Sequence, residues 1–541
     1  MLDLRRLRAL VPLACTAFGL AAHSAHAQRT GPPPLDAAGA SRFLTRATFG
    51  PRPQDIDHLL QIGPEAWIDQ QLGLAPRLEF GPALQALDCS SFDLVAGACP
   101  EEVVIEQLAA FDRLWWRQAL WGRDQLRQRV AFALSEIFVV SRKEKFIYVY
   151  PRLVAGFHEQ LLSGAFGDFR DLLEDVTRGP AMGTYLSLIQ NRAADPVLGT
   201  HPDENFAREV MQLFTIGLNE LEPTGQPRLD GSGDTIPTYD QSTVQELARV
   251  LTGYNHSAGL FQQIGVGPLA AFLAVLPGYG QNTVWPAFHD SEAKVLPDGS
   301  LAPAGLFPLA ELDLALDALA NHPNVGPFIG KQLSQRLVSS NPSDAYVARI
   351  SAVWDDDGSG RRGHLGAVVK AILLDPEADL GWTDAGAGKV REPILRATAL
   401  WRALEAKPTG APTDFPGPEV FGQRAYDAPS VFNFFPPDHS TPQLNALGLV
   451  APELRISDHT TLVLTLDFLG AMIAEDTSQA GTLDPQTGEA WGLPRLDLSP
   501  LLAVAADHAA LIDAIDLLLL GGTLSPKLRT VLTTYLSVLP D

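Results

Sequence analysis

Apolar residues recur at three- and four-residue intervals along most of this chain, and long runs of strict alternation are scarce. That period places apolar side chains on one stripe of a helix, whereas a half-buried strand needs a period of two. Glycine and proline fall mostly between the apolar blocks rather than inside them, as at Gly50-Pro51 and Gly63-Pro64. Neither residue suits a helix interior, so the pattern reads as many medium helices joined by structured loops. The predicted fold class is mainly α: one large multi-helical domain with long structured loops and little β.

Helical blocks are expected within 40–74, from Glu102 to Val140, from Tyr148 to Leu162 and from Phe169 to Val176. A stop at Leu517 to Gly522 precedes a last helix from Ser525 to Leu536. Trp115, Trp116 and Trp121 sit among leucines at near-helical spacing, which predicts core packing rather than a binding platform. Three stretches are loop-rich: Gly225 to Tyr239, Gly259 to Pro308 and Pro408 to Pro442. Loops of that length inside a compact domain are usually functional. With 541 residues, 46% of them hydrophobic, the chain can bury a sizeable core. A net charge of -23 argues against nucleic-acid binding and against docking on anionic lipid.

The first residues have the form of an export signal. Arg5, Arg6 and Arg8 precede an apolar run from Ala9 to Ala22, followed by Ala25-His26-Ala27. Small residues in that arrangement predict cleavage after Ala27, and the run is short of the roughly 20 residues that span a bilayer. The expected division is a signal peptide at 1–27, a flexible segment at 28–40 and one helical domain at 41–536. The mature chain would be periplasmic or extracellular, with no transmembrane segment. There Cys89 and Cys99, in a loop-like stretch, are expected to form one local disulfide worth about 2 to 3 kcal/mol.

The best-defined chemical pattern is HPDENFAREVMQLFTIGL, His201 to Leu218. Asp203 is placed to cap a helix there and Gly217 to end it. At 100 degrees per residue, Glu204, Arg208, Gln212 and Thr215 form a polar stripe opposite Phe206, Val210 and Phe214, with Glu209 on its edge. A second helix is expected after Ser242-Thr243-Val244-Gln245, which has the form of a capping box. It carries Glu246 and Arg249 and stops near Thr252-Gly253. If the two stripes converge, Glu204, Arg208, Glu209, Glu246 and Arg249 become candidate catalytic residues, with His289 from the long loop completing the site. A divalent metal could then be held by Glu204, Glu209 and His289. The bland alternative is two solvated or mutually packed ion-pair stripes.

Other motifs fail. No HExxH, phosphate-binding loop or GxSxG elbow occurs. Asp355 to Gly360 has the look of a calcium loop, but its twelfth position is Gly366 where an EF-hand needs Glu. His322-Pro323-Asn324 reads as a cap for the helix that follows.

Several blocks in order resemble the bacterial DUF1800 family of unknown function. They are FLTRATFGP (43–51), LRQRVAFALSEIFVVS (126–141), AFGDFRDLLEDVT (165–177), PDENFAREVMQLFTIGL (202–218), TYDQSTVQELARVLTGY (238–254), HPNVGPFIGKQLSQRLVSSNPS (322–343), GKVREPILRATALWRAL (388–404) and PSVFNFFPP (429–437). Where many relatives carry a Trp-x-Asn-His-Phe-like segment, this chain has Leu134-Ser135-Glu136-Ile137-Phe138, so a role for that histidine does not transfer. The resemblance implies export and association with another exported family, DUF1501, which resembles sulfatases and alkaline phosphatases. It supplies no catalytic residues. Two functions follow as expectations: a binding or assembly partner of another exported protein, or a metal-dependent hydrolase or oxidoreductase acting on a polymer or cell-surface substrate through the Glu/Arg/His pocket.

Overall fold

The computed structural model describes residues 35–87, 100–257, 280–380, 388–407, 417–474, 482–483, 490–491 and 496–538. The signal segment 1–27 and the Cys89–Cys99 pair lie outside these residues. Among the described residues helices supply nearly all of the regular structure, joined by long loops, and three two-stranded antiparallel pairs make up the named strands. No described helix is long and apolar enough to cross a membrane.

Helices start and stop where the sequence punctuates. Pro53–Ile62 and Pro64–Leu72 each open on proline, whose missing N–H costs nothing at a first turn, and Gly63 separates them at φ +82°. The long block 102–140 becomes Glu101–Trp121 and Gln125–Ser135, broken at Gly122. One boundary differs from expectation. A helix begins at Ala37, inside the segment expected to be flexible up to residue 40, because the Asp36 side chain accepts from Gly39 N at 2.7 Å. Its Ala40 and Leu44 are fully buried.

One continuous core runs through the molecule. Trp115 and Trp116 are both buried, meeting edge to face at 5.2 Å. Trp116 reaches Trp401 of helix Pro393–Ala403 at 5.1 Å. Trp121 donates its indole N–H to Ala406 O. The cluster is therefore core.

The turn after the ENFAREVMQLFTIG block is held by Asn324. Its amide donates to Ile216 O and Asn219 O, both at 2.8 Å, and its Oδ1 accepts from Leu221 N at 2.9 Å. His322 Nδ1 accepts from Asn324 N at 3.1 Å, but Asn324 is the N-cap of helix Val325–Leu337 and no side chain caps its first turn, so the expected capping by His322 is not what the helix uses. Asn324→Ala should remove three bonds from a buried turn and cost about 2 to 4 kcal/mol, read by denaturant unfolding. A loss below 1 kcal/mol would show that the turn stands without it. In the acidic loop after helix Asp344–Asp355, Asp356 and Asp357 turn carboxylate oxygens onto backbone N–H groups of residues 358–361.

Candidate functional site

The first polar stripe starts as expected and then departs. The α-helix Asn205–Glu209 passes directly into a π-helix, Val210–Thr215. Hydrogen bonds to the fifth residue back widen the turn, so the 100-degree spacing no longer applies. Thr215 therefore leaves the stripe: it is fully buried and donates to Val210 O at 2.6 Å. Gln212 is half-buried. Glu204 and Arg208 remain paired, Oε2 to Nη2, at 3.0 Å. Gln241 joins both, accepting from Arg208 at 3.2 Å and donating to Glu204 at 2.8 Å. This group is partly open to solvent, so its ion pair contributes little stability.

Glu209 faces elsewhere. It is buried, and its Oε2 has no hydrogen-bond partner among the described residues. Burial pushes its carboxyl above the usual range. Burial, helped by the charges of Glu209 and Glu144, also pushes the Tyr185 phenol up to about 12.

The second stripe lies on helix Gln241–Val250, capped by Asp240 accepting from Thr243 N at 2.9 Å, not by Ser242. Arg249 donates to both Glu246 oxygens at 2.9 Å and grips Asp290 at 2.8 and 3.2 Å. These partners hold the Arg249 guanidinium firmly protonated and the Asp290 carboxyl below its ordinary value, against the opposing effect of burial. Glu246 also accepts from Val295 N at 3.0 Å. Next to this lies a buried ionic group. Lys294 is fully buried and donates to Asp290 O, Glu292 O and Glu311 Oε1 at 2.5, 2.9 and 2.8 Å. His289 Nδ1 lies 2.9 Å from Thr252 O. Its Nε2 lies 2.9 Å from Glu311 Oε2, off the line a hydrogen bond needs.

The structure thus joins Glu204 to Arg208, and separately Glu246 to Arg249 beside His289. The two groups share a helix but no partner. Among the described residues no cluster of three or more His, Cys, Asp or Glu side chains could hold a metal ion, so Glu204, Glu209 and His289 do not form one ligand set. The stripe carboxylates are occupied by guanidinium groups or backbone N–H.

What Glu246, Arg249 and His289 do build is the root of a hairpin. Lys294 pairs with Ala302 and Val295 with Leu301 across strands Lys294–Val295 and Leu301–Ala302. The first pair points inward and is buried; the second points outward. Lys294, Asp290 and Glu311 were not legible as a group, because Glu311 sits in a helix 17 residues beyond Lys294.

Sequence reasoning also missed a second charged centre, deep in the core. Arg129 and Glu136 come from the helix Gln125–Ser135 and its C-cap, and Arg336 from helix Val325–Leu337. Lys389, Arg391 and Glu392 precede helix Pro393–Ala403, and Glu453 comes from the loop-rich segment 417–458. Arg336 Nη1 lies 3.3 Å from Glu136 Oε2, and its carbonyl accepts from Arg129 at 2.6 Å and Lys389 at 2.7 Å. Lys389 lies 3.0 Å from Glu453, and Gln423 donates to Glu392 at 2.6 Å. Burial and the neighbouring Glu392 charge push the Glu136 carboxyl up to about 8. Asn433, at φ +63°, turns its amide to Glu136 at 3.4 Å. The only signal available was charge inside otherwise apolar blocks, RQRVAFALSE, QLSQRLV and GKVREP.

No curated protein and no solved structure matches the chain. A family model described as a protein of unknown function (DUF1800) matches residues 42–540, nearly the whole length, so the chain belongs to the DUF1800 family.

Proposed function

We propose that the chain is an exported protein that works by binding another exported protein, with the hairpin at 294–302 as part of the contact. The observation that carries this reading is the pairing of Val295 with Leu301, 49% and 65% exposed, on a hairpin whose root is locked by buried charges. Phe307, 58% exposed, stands just beyond it at the start of helix Pro308–Ala320. A rigid apolar projection loses little conformational entropy on binding, which favours a protein partner. The N-terminal pattern at 1–27 supports export, and a DUF1501-like protein is the first partner to test. The Glu/Arg stripes then serve as braces, which fits their occupied carboxylates.

The double variant Val295→Asp/Leu301→Asp should lose co-purification of the partner from the native host by tenfold or more while melting within about 2 °C of the parent. Undiminished capture by that variant would overturn the proposal.

A further inference from the structure

The stretch from Asp290 to Asp317 puts two properties on one face. Val295, Leu301, Phe307 and Leu314 are all exposed. Val295 and Leu301 pair on the outer side of the hairpin, whose base is closed by Gly305 N donating to Ser291 O at 2.8 Å. Phe307 follows two residues later, and Leu314 falls within about 20 degrees of it around helix Pro308–Ala320. Glu311 of that helix reaches back to Lys294 at 2.8 Å, so hairpin and helix are held side by side. The four apolar side chains therefore belong to one braced unit.

The charge on this unit is one-sided. The same stretch carries six carboxylates, Asp290, Glu292, Asp298, Glu311, Asp313 and Asp317, and one cation, Lys294, which is buried. Neighbouring helices bring two arginines, and both are already shared. Arg249 is held by Glu246 and Asp290, and Arg170 by Glu174, Asp313 and Asp317. Glu292 and Asp298 are exposed and form no ion pair among the described residues. Asp313 and Asp317, each more than half exposed, run along one edge of the Phe307 and Leu314 stripe.

An exposed apolar patch rimmed by excess negative charge discriminates between occupants. A second copy of this face would bring like charges together, and an anionic lipid surface is repelled for the same reason. Opposite charge on a partner steers its approach and fixes its register, while the apolar centre supplies the buried area. We infer that this face docks a protein surface whose apolar centre is rimmed by lysine and arginine. The inference rests on the hairpin as a partner contact and adds the chemistry of that partner.

The test uses the purified chain and two dye-labelled helical peptides of equal length, one of leucine and lysine and one of leucine and glutamate, read by fluorescence anisotropy. At about 50 mM salt the leucine–lysine peptide should bind at least about tenfold more tightly, and the contrast should shrink severalfold at about 500 mM. Val295→Ser/Leu301→Ser should weaken its binding about tenfold without altering charge. Glu292→Gln/Asp298→Asn should weaken it about fivefold; asparagine keeps the acceptor that Ser300 N uses. Glu101→Gln/Glu102→Gln, at the exposed start of helix Glu101–Trp121, should change it less than about twofold. Equal affinity for the two peptides, or equal weakening by the two neutralised pairs, would overturn the inference. Adsorption of the parent to phosphatidylcholine vesicles, lost in Val295→Ser/Leu301→Ser, would mark a membrane contact and overturn it too. Loss of the native partner by Val295→Asp/Leu301→Asp without any preference between the peptides would sink this inference alone and leave the hairpin as a contact.

Discussion

Replacing Lys294 with Met is expected to destabilise the protein by about 3 to 5 kcal/mol. The ammonium is fully enclosed and its three N–H groups go to Asp290 O, Glu292 O and Glu311 Oε1. Removing it leaves the Glu311 carboxylate, 2% exposed, without its cation and 2.9 Å from a histidine ring. An uncompensated buried charge costs far more than an intact buried pair contributes, because desolvation of the survivor is no longer offset. The double variant Lys294→Met/Glu311→Leu should therefore recover most of the loss. Denaturant unfolding of the four proteins of the cycle gives the coupling directly. A loss below 1 kcal/mol in the single variant would mean that Lys294 does not anchor the hairpin, and the reading of Glu246, Arg249 and His289 as its root would go with it.

Stability should also fall as the solution is acidified below pH 6.5, with His158 as a main cause. Its ring is enclosed by Phe80 and Phe111, with Nδ1 2.8 Å from the Tyr426 hydroxyl and Nε2 unpartnered. Burial without a charge partner pushes its pKa down to about 3 from 6.5. Between those values the unfolded chain binds a proton that the folded chain refuses. The contribution is whole above pH 6.5 and is lost as pH falls towards 3, at about 1.4 kcal/mol per pH unit. His256, lowered to about 4 by burial, adds in the same direction. Glu136 acts oppositely: raised to about 8, it binds its proton in the folded state first, so its contribution is present below pH 4.5 and fades as pH rises through 8. Comparing the parent with His158→Gln isolates the histidine. The variant should show a shallower loss of unfolding free energy between pH 6.5 and 4.5, by about 1.4 kcal/mol per unit. Parallel curves would mean that the ring charges inside the fold.

The two candidate regions differ in how they could be read. Glu204 and Arg208 are four residues apart in an ordinary helical turn, so their pairing follows from the chain alone. Thr215 was misplaced because nothing in VMQLFT signals a π-turn, which closes only when Ile216, Gly217 and Asn324 hold its end. Glu246 and Arg249 lie three apart on one helix and pair within it, whereas Asp290 reaches Arg249, and Glu311 reaches His289 and Lys294, from other parts of the chain. The core centre was invisible for the same reason, since Arg129 and Arg336 are 207 residues apart.

From sequence alone come the helices, their glycine and proline boundaries, the tryptophan core and the family, because periodicity, capping and motif order are properties of short stretches. Tertiary structure alone decided which charges from distant segments meet. Pairing between distant segments depends on how helices pack, and no local pattern records which carboxylate a buried cation will find.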